Sequence, residues 1–334
     1  MTRRIVVAGG AGFFGAAVVA LLRGRGIDPI VASRGGNLRL DVEQASSIRA
    51  ALHEGDVVVD AAGPFQVRSD LLARLADEVG YDVVDLSDAL DHAERILALR
   101  PTRARLLTAC SSVSAVTAAL VARSGIARPT RVEAFLVPEA TASARPGAAM
   151  SMLRSVGRPI RALRGGRLVR TVGWSGVRRL DAGPLGRLEG REMETADAVT
   201  LPRVWPTLRE VAMHVDMRMP WLNRAFDLAA AWGLAVAMER PRLLAAALSA
   251  VRLVAPRGSG YLIEVEGEGR VRRLGLVAER DGFVVAAMPA AIAAEEIACG
   301  RFTGEGVIAA DRLVDADLLL ARLADRGVRL VELG

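Results

Sequence analysis

The stretch Ile5–Gly15 reads IVVAGGAGFFG, in which a short apolar run leads into four glycines and then into a second apolar run. Gly10, Gly12 and Gly15 form a G-x-G-x-x-G pattern. The first glycine of this pattern allows a tight strand-to-helix turn, and the second lets the backbone approach a pyrophosphate. Free N–H groups at the start of the helix then favour an anion. We therefore predict a dinucleotide-binding βαβ unit whose cofactor-binding residues include Gly9, Gly10, Ala11, Gly12, Phe13, Phe14 and Gly15.

The uncharged run from Ile5 to Leu22 also has the hydropathy of a secretory signal or a membrane span, because two arginines precede it. The ordered glycines within it and the lack of an A-x-A cleavage sequence before Arg23 favour a buried strand, a turn and a helix instead. The two cysteines, Cys110 and Cys299, lie far apart and suit a reducing compartment. We therefore expect a cytoplasmic protein without an integral membrane span.

From the N-terminus to Arg123, short apolar strands alternate with helical segments, which is typical of a parallel sheet with crossover helices. The predicted strands are Arg4–Ala8, Pro29–Ser33, Asp56–Ala61, Asp82–Leu86 and Arg105–Ala109. The predicted helices are Phe13–Arg23, Gln44–Leu52, Asp70–Val79, Asp91–Leu99 and Ser114–Arg123. The predicted fold class is α/β, with an N-terminal Rossmann-type doubly wound parallel sheet and an inserted α+β second domain.

The second domain is indicated by a change of pattern from Arg131 onward, and a length of 334 residues favours two domains. Its predicted elements are a strand at RVEAFLVPE, a helix at Ala149–Ile160 and the antiparallel strands Tyr261–Glu266, Val271–Ala278 and Phe283–Met288. The predicted C-terminal helices are Ala290–Cys299 and Asp315–Arg326. We expect a Rossmann domain over residues 1–128, an α+β substrate and dimerisation domain over 129–288, and C-terminal helices over 289–334 that return to the Rossmann domain.

Two apolar helices are predicted within the second domain, at Leu222–Met238 and Arg242–Val254. Each is too short to span a bilayer, and arginines interrupt the pair. Their role stays open between a hairpin that covers the sheet or forms a homodimer interface, a pocket for a lipid-like substrate, and peripheral contact with a membrane surface.

The end of the second strand bears on the choice of dinucleotide. Folds that bind NAD usually place Asp or Glu about 20 residues past the glycine loop, where it holds the ribose 2′-OH. Here the sequence is VASRGGN, with Ser33 and Arg34 and no carboxylate. Since a guanidinium pairs with a 2′-phosphate, we predict NADP(H) as the cofactor. The alternative is that Arg34 is only a solvated loop charge.

Two later segments fall where a Rossmann cofactor needs them. LRLDV places Asp41 and Val42 near the adenine, although Asp41 as a helix cap is the alternative. DAAGPFQ, residues Asp60–Gln66, ends the third predicted main strand in a turn of small residues beside the nicotinamide ribose, although an ordinary strand-ending turn is the alternative. The cofactor-binding residues predicted in that turn are Ala62, Gly63, Pro64 and Phe65.

The composition excludes several reaction classes. The 44 basic residues are all arginine, so Schiff-base chemistry, a P-loop lysine and a Tyr-x-x-x-Lys pair are absent. The arginines are scattered without a basic block, which argues against a nucleic-acid partner despite the net charge of +6. The partner expected instead is a small-molecule substrate.

Candidate catalytic residues follow from the rule that substrates of open α/β sheets bind outside the carboxyl ends of the strands. Asp85, Ser87 and Ser111 are predicted there, with helix capping as the alternative role. His214, two residues before Asp216 in MHVDM, is the candidate substrate residue, with a structural histidine as the alternative. No third ligand accompanies this pair, so no metal site is predicted.

The glycine loop, SR after the second strand, LDV, AGPF and YDVVDLSD occur in the order in which the saccharopine dehydrogenase-like oxidoreductases carry similar segments, and the chain resembles that family. The sequence from Met288 to Glu332 is similar to the C-terminus of the family. The resemblance implies an NADP-binding Rossmann domain, an inserted domain for substrate and dimer contacts, and hydride transfer. It implies cofactor roles for Gly10, Gly12, Gly15, Arg34, Asp41 and the turn of Gly63, Pro64 and Phe65.

The sequence therefore predicts an NADP(H)-dependent oxidoreductase that acts on a C=N, C=O or C=C bond of a substrate of hydrophobic character. Two alternatives stay open. One is a redox sensor or regulator that binds NADP without turnover, and the other is a lipid-associated protein with a vestigial cofactor site.

Overall fold

A computed structural model describes residues 3–139, 153–233 and 258–333, which form two compact units. Unit 1 comprises Met1–Ala119, Val199–Val204 and Val284–Arg322, and unit 2 comprises Leu120–Ala198, Trp205–Phe283 and Leu323–Gly334. The predicted fold class, a Rossmann-type sheet with an inserted α+β domain, is confirmed. The units interleave more than the segments 1–128, 129–288 and 289–334 do, because the chain revisits unit 1 at Val199–Val204 and ends in unit 2.

Unit 1 is built on a six-stranded parallel sheet with the order β3-β2-β1-β4-β5-β6. Its strands are β1 Ile5–Ala8, β2 Ile30–Ser33, β3 Leu38–Arg39, β4 Val57–Asp60, β5 Asp82–Asp85 and β6 Leu106–Leu107. This is the strand order of dinucleotide-binding folds, in which ligands bind where the order reverses. The reversal lies between β1 and β4, so the carboxyl ends of these two strands locate the site.

Five helices match the sequence prediction to within one residue at each end: α1 Phe13–Arg23, α2 Ala45–Ala51, α3 Leu71–Val79, α4 Leu90–Ala98 and α5 Ala115–Arg123, of which α5 crosses from unit 1 into unit 2. The apolar faces of α2 and α3 pack on the sheet, where Val6, Val58 and Val83 meet Ile48 and Leu72 in one buried cluster. This burial of apolar surface is the main force that holds the sheet to its helices.

The connection from β2 to β3 contains no helix. Only residues 34–37 separate the two strands, whereas parallel strands are usually joined by a dozen or more residues. The short loop is held by backbone bonds to Ser33, whose carbonyl accepts from the N–H of Leu40 at 3.1 Å and of Gly36 at 3.4 Å. Strand β3, which the sequence did not predict, therefore lies at the open edge of the sheet.

The strand predicted at Phe283–Met288 is wrong, because these residues lead into helix α8, Val284–Ala298. This helix is buried on nearly all of its faces, packs on α1 and β4, and contains Pro289. A short apolar run before a proline has the same hydropathy in a buried strand and in a buried helix. The predicted helix Ala290–Cys299 is the second part of α8, and Asp315–Arg326 contains α9, Ala316–Ala324.

Unit 2 contains a nine-stranded mixed sheet with the order β10-β11-β12-β7-β13-β14-β15, in which β8 pairs with β12 and β9. Its strands are β7 Pro129–Val137, β8 Pro159–Arg164, β9 Arg167–Val172, β10 Arg178–Asp181, β11 Arg187–Met193, β12 Glu210–Val215, β13 Ser259–Gly267, β14 Arg270–Ala278 and β15 Arg329–Leu333. Strands β7 and β12 are parallel, and the other pairs are antiparallel. The strands predicted at RVEAFLVPE, Tyr261–Glu266 and Val271–Ala278 are confirmed as β7, β13 and β14.

Between β11 and β13, the described residues form the helices α6, Asp197–Thr200, and α7, Pro220–Ala231. Helix α7 is the described part of the helix predicted at Leu222–Met238. The helix predicted at Arg242–Val254 lies outside the described residues. The helix predicted at Ala149–Ile160 is wrong over its described part, because residues 154–157 form turns and Pro159 begins β8, while residues 149–152 lie outside the described residues. Within the described ranges, no helix combines the length and the apolar character needed to cross a bilayer.

Candidate dinucleotide site

The glycine loop connects β1 to α1 through backbone contacts that leave no room for a Cβ at Gly9 or at Gly15. Gly9 has a φ of +73°, a conformation that favours glycine, and its N–H donates to the Ala32 carbonyl of β2 at 2.9 Å. The N–H of Gly12 donates to the Gly9 carbonyl at 2.8 Å, which closes the turn. A Cβ on Gly15 would overlap the Gly9 carbonyl oxygen and lie 2.7 Å from the Gly10 Cα. The loop therefore requires glycine where the first turn of α1 crosses the end of β1.

No side chain of the described residues caps the start of α1. Gly12 is the N-cap residue, no side-chain cap bond is made, and the first turn of the described helix holds no acidic residue. Ala11 and Gly12 are exposed. Because the first N–H groups of a helix lack partners within it and the helix dipole favours anions, this cradle fits a pyrophosphate.

The segment after β4 lies directly against this loop. The N–H of Ala61 donates to the Ala8 carbonyl at 2.9 Å, and a Cβ on Gly9 would lie 2.8 Å from the Ala61 carbonyl oxygen. The chain then turns through Gly63 and a cis Pro64, both exposed. The structure thus brings the predicted residues 62–64 beside the predicted residues 9–12, at the carboxyl ends of β1 and β4.

A buried arginine that the sequence analysis missed holds this segment. Nη1 of Arg68 lies 2.8 Å from Oδ1 of Asp60 and donates to the Ala62 carbonyl at 2.7 Å, and its guanidinium lies over the ring of the buried Phe65. Burial opposes the charge, but the attraction of Asp60 raises the pKa of Arg68 above its ordinary value. Nothing in DAAGPFQVR distinguishes this arginine from a solvated one, since the contact depends on the turn.

The predicted residues for the adenosine half lie after β2 and β3. Ser33 ends β2 and is half-buried, and Arg34 is exposed. The carboxylate of Asp41 accepts from the N–H of Glu43 at 3.0 Å, so it stabilises the turn before α2. Val42 is buried in the core cluster of the sheet. Arg34 and Ser33 are thus accessible to a ligand, and Val42 contributes packing.

The candidate catalytic residues Asp85 and Ser87 lie together at the end of β5 and are both buried. Oδ1 of Asp85 accepts from the N–H groups of Ala109 at 2.8 Å and Ser87 at 3.0 Å. The Ser87 hydroxyl accepts from the N–H of Ala89 at 3.1 Å, just before α4, which has no side-chain cap of its own. Burial alone would raise the pKa of Asp85, but His92 and the two N–H donors hold that pKa below its usual range.

His92 was not selected from the sequence, yet it is the side chain that faces Asp85. Its Nε2 lies 3.6 Å from Oδ2 of Asp85, its ring packs edge-on against Phe65 with centroids 5.1 Å apart, and its Nδ1 has no hydrogen-bond partner among the described residues. In DLSDALDH, Asp85 ends a strand and His92 lies in the first turn of the next helix, and the contact depends on the approach of α4 to β5.

The third catalytic candidate, Ser111, is buried in the loop between β6 and α5. Two residues of this loop, Ala109 and Ser114, adopt left-handed conformations with φ of +53° and +63°. Such conformations are unfavourable for residues with a Cβ and concentrate at functional sites. The N–H of Cys110 donates to the Asp85 carbonyl at 2.8 Å, which places this loop beside the end of β5.

His214 lies in unit 2 and is buried. Its ring stacks on Phe135 with centroids 5.0 Å apart, and its Nε2 lies 3.6 Å from Oε1 of Glu133. Asp216 instead accepts from the N–H groups of Glu189 and Arg218. These contacts are those of a packed histidine. No group of three metal-binding side chains occurs in the part of the chain that the structure describes.

No family model and no curated protein sequence matches the chain. Among solved structures, apo saccharopine dehydrogenase (L-Glu forming) from Saccharomyces cerevisiae aligns with a TM-score of 0.63 at 13% identity over 99% of this chain and 100% of that chain. The chain therefore has the fold of that protein, as the sequence resemblance predicted.

Two more distant structures align with lower scores. The DAP dehydrogenase of C. glutamicum in complex with DAP has a TM-score of 0.47 at 12% identity, over 96% of this chain and 99% of that chain. An engineered D-amino acid dehydrogenase bound to NADP+ has a TM-score of 0.43 at 13% identity, over 98% of this chain and 99% of that chain.

Proposed function

We propose that the chain is an NADP(H)-dependent oxidoreductase of the saccharopine dehydrogenase-like type, which transfers a hydride to or from a C=N, C=O or C=C bond of a small molecule. The observation that carries this proposal is the cradle between Gly9 and Gly15, where backbone contacts exclude a Cβ at Gly9 and at Gly15 and no described side chain caps the start of α1. It lies at the reversal of strand order, where dinucleotide-binding folds take their ligand.

The residues around the cradle divide the work of binding. The N–H groups of the loop and of the first turn of α1 would hold the pyrophosphate, and the guanidinium of Arg34 would hold the 2′-phosphate. Asp41 and Val42 would flank the adenine. Residues 62–65 would contact the nicotinamide ribose, with Arg68 holding that segment against Asp60. The nicotinamide supplies the hydride chemistry when it is bound.

The protein would then have to orient the substrate, exclude water and move one proton. Asp85, Ser87 and Ser111 are proposed for this work because they lie around the carboxyl ends of β5 and β6. Asp85 is ionised at neutral pH because His92 and two N–H groups stabilise its charge. His214 is proposed for substrate contact within unit 2, and the apolar character of that unit suits a hydrophobic substrate.

Titration of NADPH and NADH into the purified protein tests the cradle, with Gly12→Val as the blocking variant. Gly12 has extended backbone angles, with φ of −77° and ψ of 172°, that valine also adopts. A Cβ there meets only the Gly9 carbonyl oxygen, at 3.1 Å, so the loop has to shift by only a few tenths of an ångström. We expect a folded protein that has lost NADPH binding; retained binding would contradict the cradle.

Turnover is tested separately by following NADPH oxidation, and NADP+ reduction, with a panel of imines, ketones, aldehydes and activated alkenes. The proposal expects steady turnover with at least one of these substrate classes. Tight nucleotide binding with no turnover across the panel would instead assign a sensor or regulator.

A further inference from the structure

A second arginine lies beside Ser33 because the β2–β3 connection is so short. The two strands pair in parallel, with Ala32 opposite Leu38 and Ser33 opposite Arg39. Neighbouring strands lie about 4.8 Å apart, and consecutive Cα atoms about 3.8 Å apart. Arg39, across the ladder, and Arg34, next in the chain, therefore both start within about 5 Å of the Ser33 Cα.

Arg39 shares its face of the sheet with Ser33, since opposite residues in paired strands point the same way. Ala32 and Leu38, the preceding pair, pack into the core cluster, so Ser33 and Arg39 lie on the other face. Arg39 is exposed, and β3 is the edge strand of the sheet. No crossover helix covers the loop, so both guanidinium groups can reach a ligand at the end of β2.

Neither of these arginines has an ion-pair or hydrogen-bond partner in the described part of the chain. Other exposed arginines of unit 1 do have partners: Arg23 pairs with Asp28 at 2.8 Å, and Arg49 pairs with Glu78 at 2.7 Å. Two uncompensated positive charges thus flank one serine hydroxyl.

The nearby acidic residues do not neutralise this pair of charges. The carboxylate of Asp41 accepts from the N–H of Glu43. The carboxylate of Glu43 lies 3.4 Å from Nε of Arg68 and accepts from the N–H of Ser69 at 3.2 Å. Neither acid is therefore paired with Arg34 or Arg39 in the described part of the chain.

We propose that Arg39 is a specificity-determining residue for the 2′-phosphate of NADP(H), acting together with Arg34 and the hydroxyl of Ser33. The inference rests on the proposed function, which assigned the 2′-phosphate to Arg34 alone. A phosphate monoester carries a charge near −2 at neutral pH and accepts several charge-assisted hydrogen bonds, which two guanidinium groups and a hydroxyl supply. A ribose with a free 2′-OH leaves both arginines without an anion, so discrimination against NADH rises with each of them.

Gly36 keeps the serine hydroxyl available within this arrangement. The loop packs so closely over the end of β2 that a Cβ on Gly36 would lie 2.7 Å from Oγ of Ser33. A larger residue at this position must push the hydroxyl or the loop aside. Gly36→Val should therefore weaken NADPH binding more than NADH binding, without touching either charge.

The test measures the dissociation constants of NADPH, NADH and adenosine 2′,5′-bisphosphate for the full chain and for Arg34→Ala, Arg39→Ala and the double variant. The control is Arg74→Ala, which removes an exposed arginine of α3 from the same unit. We expect Arg39→Ala to weaken NADPH and the bisphosphate about 10-fold, as loss of a charge-assisted bond does, and to change NADH less than 2-fold. The double variant should bind NADPH and NADH about equally, and the control should change neither.

Salt gives an independent readout, because screening weakens charge pairs at the surface. Arg39→Ala should raise the NADPH dissociation constant by a smaller factor as the sodium chloride concentration rises from about 0.05 M to about 0.5 M. Equal losses for NADPH and NADH, or no loss for either, would overturn the role of Arg39 while leaving the proposed function intact. A protein that binds neither nucleotide, or prefers NADH before mutation, would overturn both.

Discussion

Nε2 of His92 lies 3.6 Å from Oδ2 of Asp85, and both side chains are buried. The pair connects the carboxyl end of β5 to the first turn of α4. Because the imidazole also packs on Phe65, the same contact supports the segment after β4. His92 thus contacts side chains at the ends of both β4 and β5, which border the candidate site.

Replacing His92 should leave Oδ2 of Asp85 buried without the imidazole that now lies beside it. We expect His92→Leu to lower the thermal midpoint by about 4–10 °C, which corresponds to about 2–4 kcal/mol for a buried pair that loses one member. Adding Asp85→Asn should recover part of that loss, because no charge then stays unpaired. A double-mutant cycle by thermal denaturation measures the coupling; simple additivity would show that the two groups do not interact.

The ion pair of Arg68 and Asp60 should behave in the same way at the end of β4. Arg68→Met keeps the volume of the side chain but leaves the Asp60 carboxylate buried, so we expect a loss of about 3–5 kcal/mol. Combining it with Asp60→Asn should restore most of the stability. Urea unfolding measures both variants, and an unchanged midpoint for Arg68→Met alone would contradict the contact.

Asp77 should make the stability of unit 1 depend on acid pH. Its Oδ1 accepts from the N–H groups of Thr102, Arg103 and Ala104 at 2.9, 2.6 and 3.0 Å. Desolvation opposes its charge, but these donors lower the pKa of Asp77 to about 2 from an ordinary 3.8. A depressed pKa adds stability above the ordinary value, and that stability is lost as the pH falls from about 4 through about 2.

The expected contribution is about 1 kcal/mol at neutral pH, since water screens part of the effect at this partly exposed site. Asp77→Asn should lower the thermal midpoint at pH 7 by about 2–4 °C and flatten its decline below about pH 4. Asp325→Asn, at an exposed carboxyl after α9, serves as the control and should change neither. Parallel pH profiles for the two variants would refute the assignment.

Gly15→Ala tests whether the close crossing of α1 over β1 requires glycine at this position. The added Cβ overlaps the Gly9 carbonyl oxygen, so α1 must shift, and we expect a loss of about 1–3 kcal/mol together with weaker nucleotide binding. Gly35→Ala is the matched control, because a Cβ there meets nothing within 4 Å. Differential scanning fluorimetry with and without NADPH compares the two; equal effects would mean that the crossing of α1 over β1 does not need glycine.

The sequence was most informative where local pattern and burial agree. The bounds of α1 were predicted without error because the glycines precede an uninterrupted apolar stretch that ends in Arg23. The prediction of a strand at Phe283–Met288 was wrong because apolar residues that are buried on all sides show no periodicity in the sequence. Only the packing of α8 on α1 and β4 shows that the segment is helical. The closing strand β15 was missed because its pairing with β14 is a contact distant in sequence.

At the candidate site too, local sequence features could be predicted and tertiary contacts could not. Residues 9–15 and 62–64 could be predicted as candidate site residues because glycine spacing and strand ends are local features. Arg39, Arg68 and His92 were not, because each acquires its neighbours through tertiary placement: a four-residue loop, a turn after β4, and the approach of α4 to β5. Charged residues of this kind cannot be distinguished from solvated ones by spacing alone.

A crystal structure of the protein grown with NADPH would show whether the start of α1 holds the pyrophosphate of NADP(H). We expect density for the diphosphate against the start of α1, with the 2′-phosphate between the guanidinium groups of Arg34 and Arg39. NADPH bound elsewhere, or a loop closed by side chains under saturating nucleotide, would contradict it.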